Sequence, residues 1–307
     1  MWIFFALLGP FFWAIIHLLD SHCIEKVFDR PWMGVITSSL SSLVTFLILP
    51  FAAPFVVWEI SGWDIVGLAL LTGALIQISQ AFYFQALEYS EAGTVAAYSN
   101  ITTILLPIVS FIFLDQNLEL GNYLGMIGLV ACSGCFCLLD QSVSGRSRSF
   151  FYMLLACSAQ VGVLLLEKHI FEHISCSFLV FLLVTVGFTV SGFCPLLLSP
   201  VRKAFQNNIS SLKTAMAIII GIDIINFIAI FCGQQAVRLG TPSLVAAIET
   251  TTPAYTFFLS ALLLLVLPRY ADPRVRHQFK LKLLLVSLMV IGVGLVSSDL
   301  TLASGTF

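Results

Sequence analysis

The chain has 307 residues and a formal net charge of −2; charged residues make up 10% of it and the set AVILMFWYC 59%. With a mean hydropathy of +1.02, it holds too much apolar surface for a water-soluble fold of this size to hide. Composition therefore excludes a soluble enzyme, a disordered chain, a nucleic-acid binder and a collagen-like chain, and leaves a polytopic helical membrane protein. An outer-membrane barrel is excluded too, because its strands alternate apolar and polar over about ten residues, whereas these runs are continuous over about twenty.

A bilayer core of about 30 Å takes about 20 apolar residues of helix. That ruler predicts ten spans: 2–25, 32–52, 64–88, 92–114, 121–139, 150–170, 175–198, 214–238, 243–267 and 281–298. The first, MWIFFALLGPFFWAIIHLLD, has no basic residue before its apolar run and no small-residue cleavage site after it, so it reads as a retained span. Asp29, Arg30 and Pro31 end it. The segment DQSVSGRSRS at 140–149 is a polar linker in the middle of the chain, and 201–213 and 268–280 are further wet loops. The eight cysteines lie mostly inside apolar runs and do not form a disulfide framework. Cys132, Cys135 and Cys137 read as small packing residues beside Gly128 and Gly134, not as a metal site.

An internal repeat stands at an offset of 150 residues. QALEYSEAGTVAAYSNIT at 85–102 lies over QAVRLGTPSLVAAIETTT at 235–252, with Gln85 over Gln235, Ala86 over Ala236, Val95 over Val245 and Thr102 over Thr252. Each half then holds five spans. An odd number inserts the second half upside down, an arrangement common in transporters that work by alternating access.

Several short segments carry a resemblance. They are PFFWA at 10–14, the hairpin FQALEYSEAGTVAA at 84–97, the continuation to Pro107, the acidic turn at Asp115 and the glycine-bearing GNYLGMIGL at 121–129. The second half repeats them as QQAVRLGTPSLVAA, Pro253 and GVGL at 292–295. In order and spacing the chain resembles the EamA-like members of the drug/metabolite transporter superfamily. The resemblance implies an all-α polytopic membrane protein of ten transmembrane helices, arranged as two inverted five-helix repeats at 1–139 and 150–307 around the 140–149 linker. Many family members carry Glu-Arg in the turn after the fourth span, where this chain has Asp115 and Gln116, and the turn after the ninth span is longer and more basic than usual.

Orientation follows from the basic residues, which collect on the cytoplasmic side. The side reached after odd-numbered spans holds Lys26, Arg30, Arg146, Arg148, Arg202, Lys203, Lys213, Arg269, Arg274, Arg276, Lys280 and Lys282; the other holds only Lys168 and Arg238. The bias places both termini outside and the 268–280 loop in the cytoplasm of a bacterial inner membrane.

A charged side chain at mid-membrane needs a partner, a wet cavity or a role. Three acids lie well inside spans: Asp20, Asp223 and Glu249. Asp223, Asn226 and Gln234 fall at about 0°, 300° and 20° around their helix, making one polar stripe. Glu249 precedes Pro253 by one turn, so the proline frees its carbonyl and can kink the helix; a salt bridge from Glu249 to Arg238 is the alternative. Asp20 sits near His17, His22 and Glu25 toward the cytoplasmic mouth. Gln77, Gln80, Tyr98 and Asn100 add amides and a phenol suited to a neutral or zwitterionic organic solute. Gln160 and Glu167 share a face of the sixth span. Mid-span regions hold no Lys or Arg, which argues against organophosphates. The glycines of the fifth and tenth spans (Gly121, Gly125, Gly128, Gly292 and Gly294) form seams for helix packing or for a homodimer.

These features predict a secondary transporter, not an enzyme, moving a small organic metabolite by alternating access with proton or cation coupling. Asp223, Glu249 and Asp20 are the coupling candidates, and Gln77, Gln80, Tyr98, Asn100 and Asn226 the substrate-binding candidates. No cofactor, metal or nucleic acid is expected; the partners are the metabolite and the lipid bilayer. With no GxxxxGK[ST] loop, energy comes from gradients. Two rivals stand: an intramembrane metal enzyme built on the HxxEH string His169, Glu172 and His173, and a non-transporting membrane interaction protein.

Overall fold

The computed structural model describes residues 1–28, 30–52, 54, 62–90, 95, 98–114, 120–139, 146–266 and 279–297. The turn at Asp115 and Gln116, most of the 140–149 linker and nearly all of the 268–280 loop lie outside the described residues. Among the described residues the regular structure is entirely helical: α1 (Trp2–Lys26), α2 (Met33–Ala52), α3 (Trp63–Tyr89), α4 (Ile101–Leu114), α5 (Leu120–Leu139), α6 (Arg146–His173), α7 (Ser177–Phe193), α8 (Ser199–Asn207), α9 (Ile209–Leu239), α10 (Pro242–Glu249), α11 (Thr252–Val266) and α12 (Phe279–Ser297). Six of these, α1, α3, α6, α7, α9 and α12, are long and apolar enough to cross a membrane, and α2, α4 and α5 contain shorter apolar helices.

The helices differ from the sequence expectation in two places. The wet loop expected at 201–213 is helical. Pro200 sits in the first turn of α8, where its missing N–H is no loss, and Arg202, Lys203, Ala204 and Gln206 all favour helix. The span expected at 243–267 is broken into α10 and α11 at Thr250–Thr251. Pro253 cannot donate to the carbonyl of Glu249, and its ring crowds that carbonyl. The backbone closes the end of α10 with three-residue bonds, Thr250 N–H to Ala247 O at 3.2 Å and Thr251 N–H to Ile248 O at 3.0 Å. The three threonine hydroxyls of ETTTP then cap three carbonyls: Thr250 to Ala247 at 2.6 Å, Thr251 to Ile248 at 2.7 Å and Thr252 to Glu249 at 2.7 Å. The carbonyl released by Pro253 is thus taken up by the next threonine. A matching turn stands at Ser99–Asn100, directly before α4, where Thr102 N–H bonds Ser99 O at 3.0 Å.

Packing pairs the elements across the chain. Helix α3 lies against α6 and α7, α9 lies against α1 and α2, and α5 lies along α12. Close approach is built on glycine. A Cβ on Gly73 would collide with the backbone of Val184 and Phe188, and one on Gly187 with the backbone of Leu70, so α3 and α7 touch main chain to main chain. On α5 and α12, a Cβ at Gly125 would stand 2.8 Å from Val296 and 3.1 Å from the carbonyl of Gly292. Polar bonds join α4 to α10: Thr103 Oγ1 donates to Ala246 O at 2.8 Å, and Ser243 to Ser110 at 3.4 Å. Outward faces are apolar, with Leu47, Ile112, Ile127 and Val290 each exposed by more than 60%, a surface that suits lipid and not water.

Candidate functional site

Four helices turn one face each toward a common cavity of about 180 Å³. Helix α1 supplies Trp13, His17 and Asp20, spaced by four and three residues, so they stack on one side of the rod. Helix α3 supplies Ile76, Ser79, Gln80, Tyr83 and Phe84 with the same period. Gln160, Val163, Leu164 and Glu167 come from α6, and Asp223, Asn226, Ile230, Gly233 and Gln234 from α9. A turn and a helix break close the ring: Ser99 and Asn100 before α4, and Glu249 and Thr250 at the end of α10, all line the cavity.

Asp20, Asp223 and Glu167 are buried and hydrogen-bonded, and Glu249 is half-buried. Asp20 is 6% exposed and accepts a hydrogen bond from the hydroxyl of Tyr83 at 3.3 Å. That hydroxyl is 2.7 Å from Nδ1 of His17, so His17, Tyr83 and Asp20 form a continuous chain of hydrogen bonds. Asp223 is 5% exposed, and Ser41 of α2 donates to its Oδ2. Glu167 is 3% exposed and accepts from Nε2 of Gln234 at 3.0 Å. Oε1 of Glu249 lies beside Gly233, 4.0 Å from where a Cβ would stand. Asp20, Asp223, Glu167 and Glu249 all line this one cavity. Among the described residues no Lys or Arg lines the cavity. Four carboxylates therefore face one space with only His17 as a basic neighbour.

All three coupling candidates, Asp20, Asp223 and Glu249, line the cavity, as do Gln80, Asn100 and Asn226. Asn100 also donates from Nδ2 to Ser133 of α5. Gln77 and Tyr98 fall outside the lining. The amide of Gln77 bonds Val35 O at 2.7 Å and Ser39 at 2.9 Å, tying α3 to α2. The ring of Tyr98 packs edge-on against Phe150 at 5.5 Å. Arg238, the alternative partner of Glu249, instead donates to Ser177 at 2.5 Å.

Among the polar residues of the cavity, Tyr83 and Glu167 were not site candidates in the sequence. Tyr83 carries no signal of its own there, being one aromatic in AFYFQA. Glu167 shares a face with Gln160, but only folding brings it to Gln234 and Glu249. The string His169, Glu172 and His173 lies at the C-terminal end of α6 and outside the cavity lining, with His169 and Glu172 45% and 55% exposed and 3.7 Å apart. Among the described residues no group of three His, Cys, Asp or Glu side chains is placed to hold a metal ion.

Comparison with known proteins places this arrangement. Residues 1–139 match the model of the EamA-like transporter family. An uncharacterized transporter encoded in the cobO 3′ region of a Sinorhizobium species is 30% identical over 129 residues, 39% of this chain and 90% of that relative. A WAT1-related protein of Arabidopsis thaliana is 26% identical over 132 residues, 41% of this chain and 34% of that relative; the match thus spans about a third of the plant protein. A crystal structure superposes with a TM-score of 0.59 over 95% of this chain and 96% of its own length, at 13% identity, a likeness of fold alone.

Proposed function

Because the chain belongs to the EamA-like transporter family, we propose that it is a secondary transporter that carries a small organic metabolite through the membrane by alternating access, coupled to protons or another cation. The observation that carries this reading is the cavity lined by Asp20, Glu167, Asp223 and Glu249 and bounded by the helix break at Thr250–Thr251 and the turn at Ser99–Asn100. Interrupted helices at the centre of a bundle are how transporters expose backbone polar groups to solute within the membrane.

The two-repeat reading is part of the same proposal. Under it, 1–139 and 150–307 are inverted halves and 140–149 joins them. The packing supports this: α3 on α6 and α7 has its counterpart in α9 on α1 and α2, while α5 against α12 and α4 against α10 are self-paired. The turns at Ser99–Asn100 and Thr250–Thr251 stand at nearly the same offset. Rocking one half against the other about the cavity would open it to each side in turn. Asp223, Glu249 and Asp20 couple the cycle by taking up a proton or cation in one state and releasing it in the other. Gln80, Asn100 and Asn226 contact solute.

The test is flux. Purified protein in proteoliposomes should show saturable, gradient-dependent uptake of a solute found by thermal-shift screening, since a ligand that binds the native state raises its stability. Ligand binding without any exchange across the bilayer would replace transport by a sensing or interaction role.

A further inference from the structure

The carboxylates of the cavity are not one cluster. They stand at two separate levels of α9. Asp223, bonded by Ser41 of α2, marks one level. Gly233 and Gln234, which touch Glu249 and Glu167, mark the other. Eleven residues separate Asp223 from Gln234, or about 16 Å at the helical rise. On α9 itself Asn226, Ala229 and Ile230 line the cavity between the levels.

The unused hydrogen-bonding capacity points the same way. Among the described residues the side-chain oxygens of Asn226 and Gln234 are buried without a partner, and both residues line the cavity at 2% and 1% exposure. Both orphans are acceptors, as are all four carboxylates when ionised. A buried acceptor without a donor is costly, so the missing partner must bring N–H or O–H groups, and the acids require it to be positive. A metal ion does not fit, because it needs several oxygens converging on one point and these acids are split between two levels. Trp13, Tyr83 and Phe84 add aromatic faces of the kind that attract ammonium groups.

The geometry points to a linear aliphatic diamine or polyamine as the substrate class, one ammonium seated between Asp20 and Asp223 and the other between Glu167 and Glu249. This rests on the transporter reading above and names its cargo. Allowing a charge-assisted hydrogen bond of about 2.8 Å at each end leaves about 10 Å between the nitrogens, the span of an extended chain of about eight carbons. Asn226 lies one turn from Asp223 and faces the chain between the ends. The small volume of the cavity for a ligand site suits a slender chain.

The experiment is a binding series on the detergent-purified full chain by calorimetry, using 1,3-diaminopropane, 1,8-diaminooctane, spermidine and 8-aminooctan-1-ol. The last has the same length as the octane diamine but a single charge. The expected result is that 1,8-diaminooctane and spermidine bind at least tenfold tighter than both the amino alcohol and the short diamine. Glu167→Gln and Asp223→Asn should each bring 1,8-diaminooctane to the level of the amino alcohol. Equal affinity for the octane diamine and the amino alcohol in the wild-type chain overturns the proposal without reference to any variant. So does a preference that survives both substitutions. Counterflow in proteoliposomes separates the two readings. Tight diamine binding without exchange leaves the ligand class standing and removes transport, whereas exchange of another solute with no diamine preference does the reverse.

Discussion

Gln234 donates from Nε2 to Oε1 of Glu167 at 3.0 Å, joining α9 to α6 inside the cavity wall. The same pattern occurs at an offset of about 150 residues: His17 of α1 meets Tyr83 of α3 at 2.7 Å. In each case a polar residue from the first helix of a proposed half is fixed by one from the third. The identities differ, so the two ends of the cavity have different chemistry on a related frame. One end presents a carboxylate–amide pair, and the other an imidazole–phenol pair that continues to Asp20.

This bond sets the first prediction. Glu167→Ala removes the acceptor of a buried amide and leaves it unpaired, at a cost of about 1–3 kcal/mol. Glu167→Gln keeps shape and an acceptor oxygen. In detergent, the thermal midpoint of the alanine variant should therefore fall a few degrees below that of the glutamine variant, at about 2–4 °C per kcal/mol. Equal midpoints would mean that the bond contributes nothing to folding.

The second prediction tests the glycine contact between α3 and α7. A methyl at Gly73 meets the backbone of Val184 and Phe188, which cannot rotate away as a side chain can. Gly73→Ala must push the helices apart, an overpacking that costs about 1–3 kcal/mol. Gly67→Ala on the same helix has nothing within 4 Å and serves as the control. Lower thermal stability and lower yield of monodisperse protein are expected for the first variant and not for the second.

How far this fold was legible before folding depends on the range of the interaction concerned. The apolar runs marked nearly every helix, because lipid imposes a length and a composition that are local properties of the chain. The break at Thr250–Thr251 was half legible. Pro253 announced a released carbonyl, but the capping of Ala247, Ile248 and Glu249 by three consecutive hydroxyls depends on rotamers that sequence does not display. The turn at Ser99–Asn100 has no proline to announce it. Asp20, Asp223 and Glu249 stood out because each is an acid in an apolar run. Glu167 did not, since its meaning comes from Gln234 and Glu249, 67 and 82 residues away, and only packing of α6 on α9 reveals it. Gln77 shows the converse: an amide in a membrane span reads equally as a solute contact or as helix glue, and here it bonds Val35 and Ser39.

The third prediction concerns orientation, which the Lys and Arg distribution argues and the helices alone do not. Ala271 lies in the 268–280 loop, which with its flank to Lys282 holds Arg269, Arg274, Arg276, Lys280 and Lys282. Positive loops stay on the cytoplasmic side. In a background where the native cysteines are replaced, Ala271→Cys should resist an impermeant maleimide in intact cells and react once the membrane is opened. Labelling of intact cells would reverse the topology and place both termini inside.

The fourth prediction concerns coupling. Asp223 is buried on α9, bonded by Ser41, and lines the same cavity as Asp20. A carboxylate in a low-dielectric space is costly when ionised without a positive partner, so uptake of a proton or a cation beside it in one state of the cycle offsets that cost. Asp223→Asn keeps the side-chain shape and can still accept from Ser41, but it carries no charge and cannot bind and release a proton. The variant should fold with a thermal midpoint near that of the wild type and, at solute concentrations high enough to offset its weaker binding, still exchange solute across the bilayer when no gradient is applied. Uphill accumulation driven by a gradient should fall by at least tenfold, because the exchanged charge is gone. Proteoliposome counterflow and gradient-driven uptake, measured side by side on one preparation, separate these steps. Retention of both, with an unaltered response to pH, would make Asp223 a satisfied packing residue and shift the coupling role to Glu249.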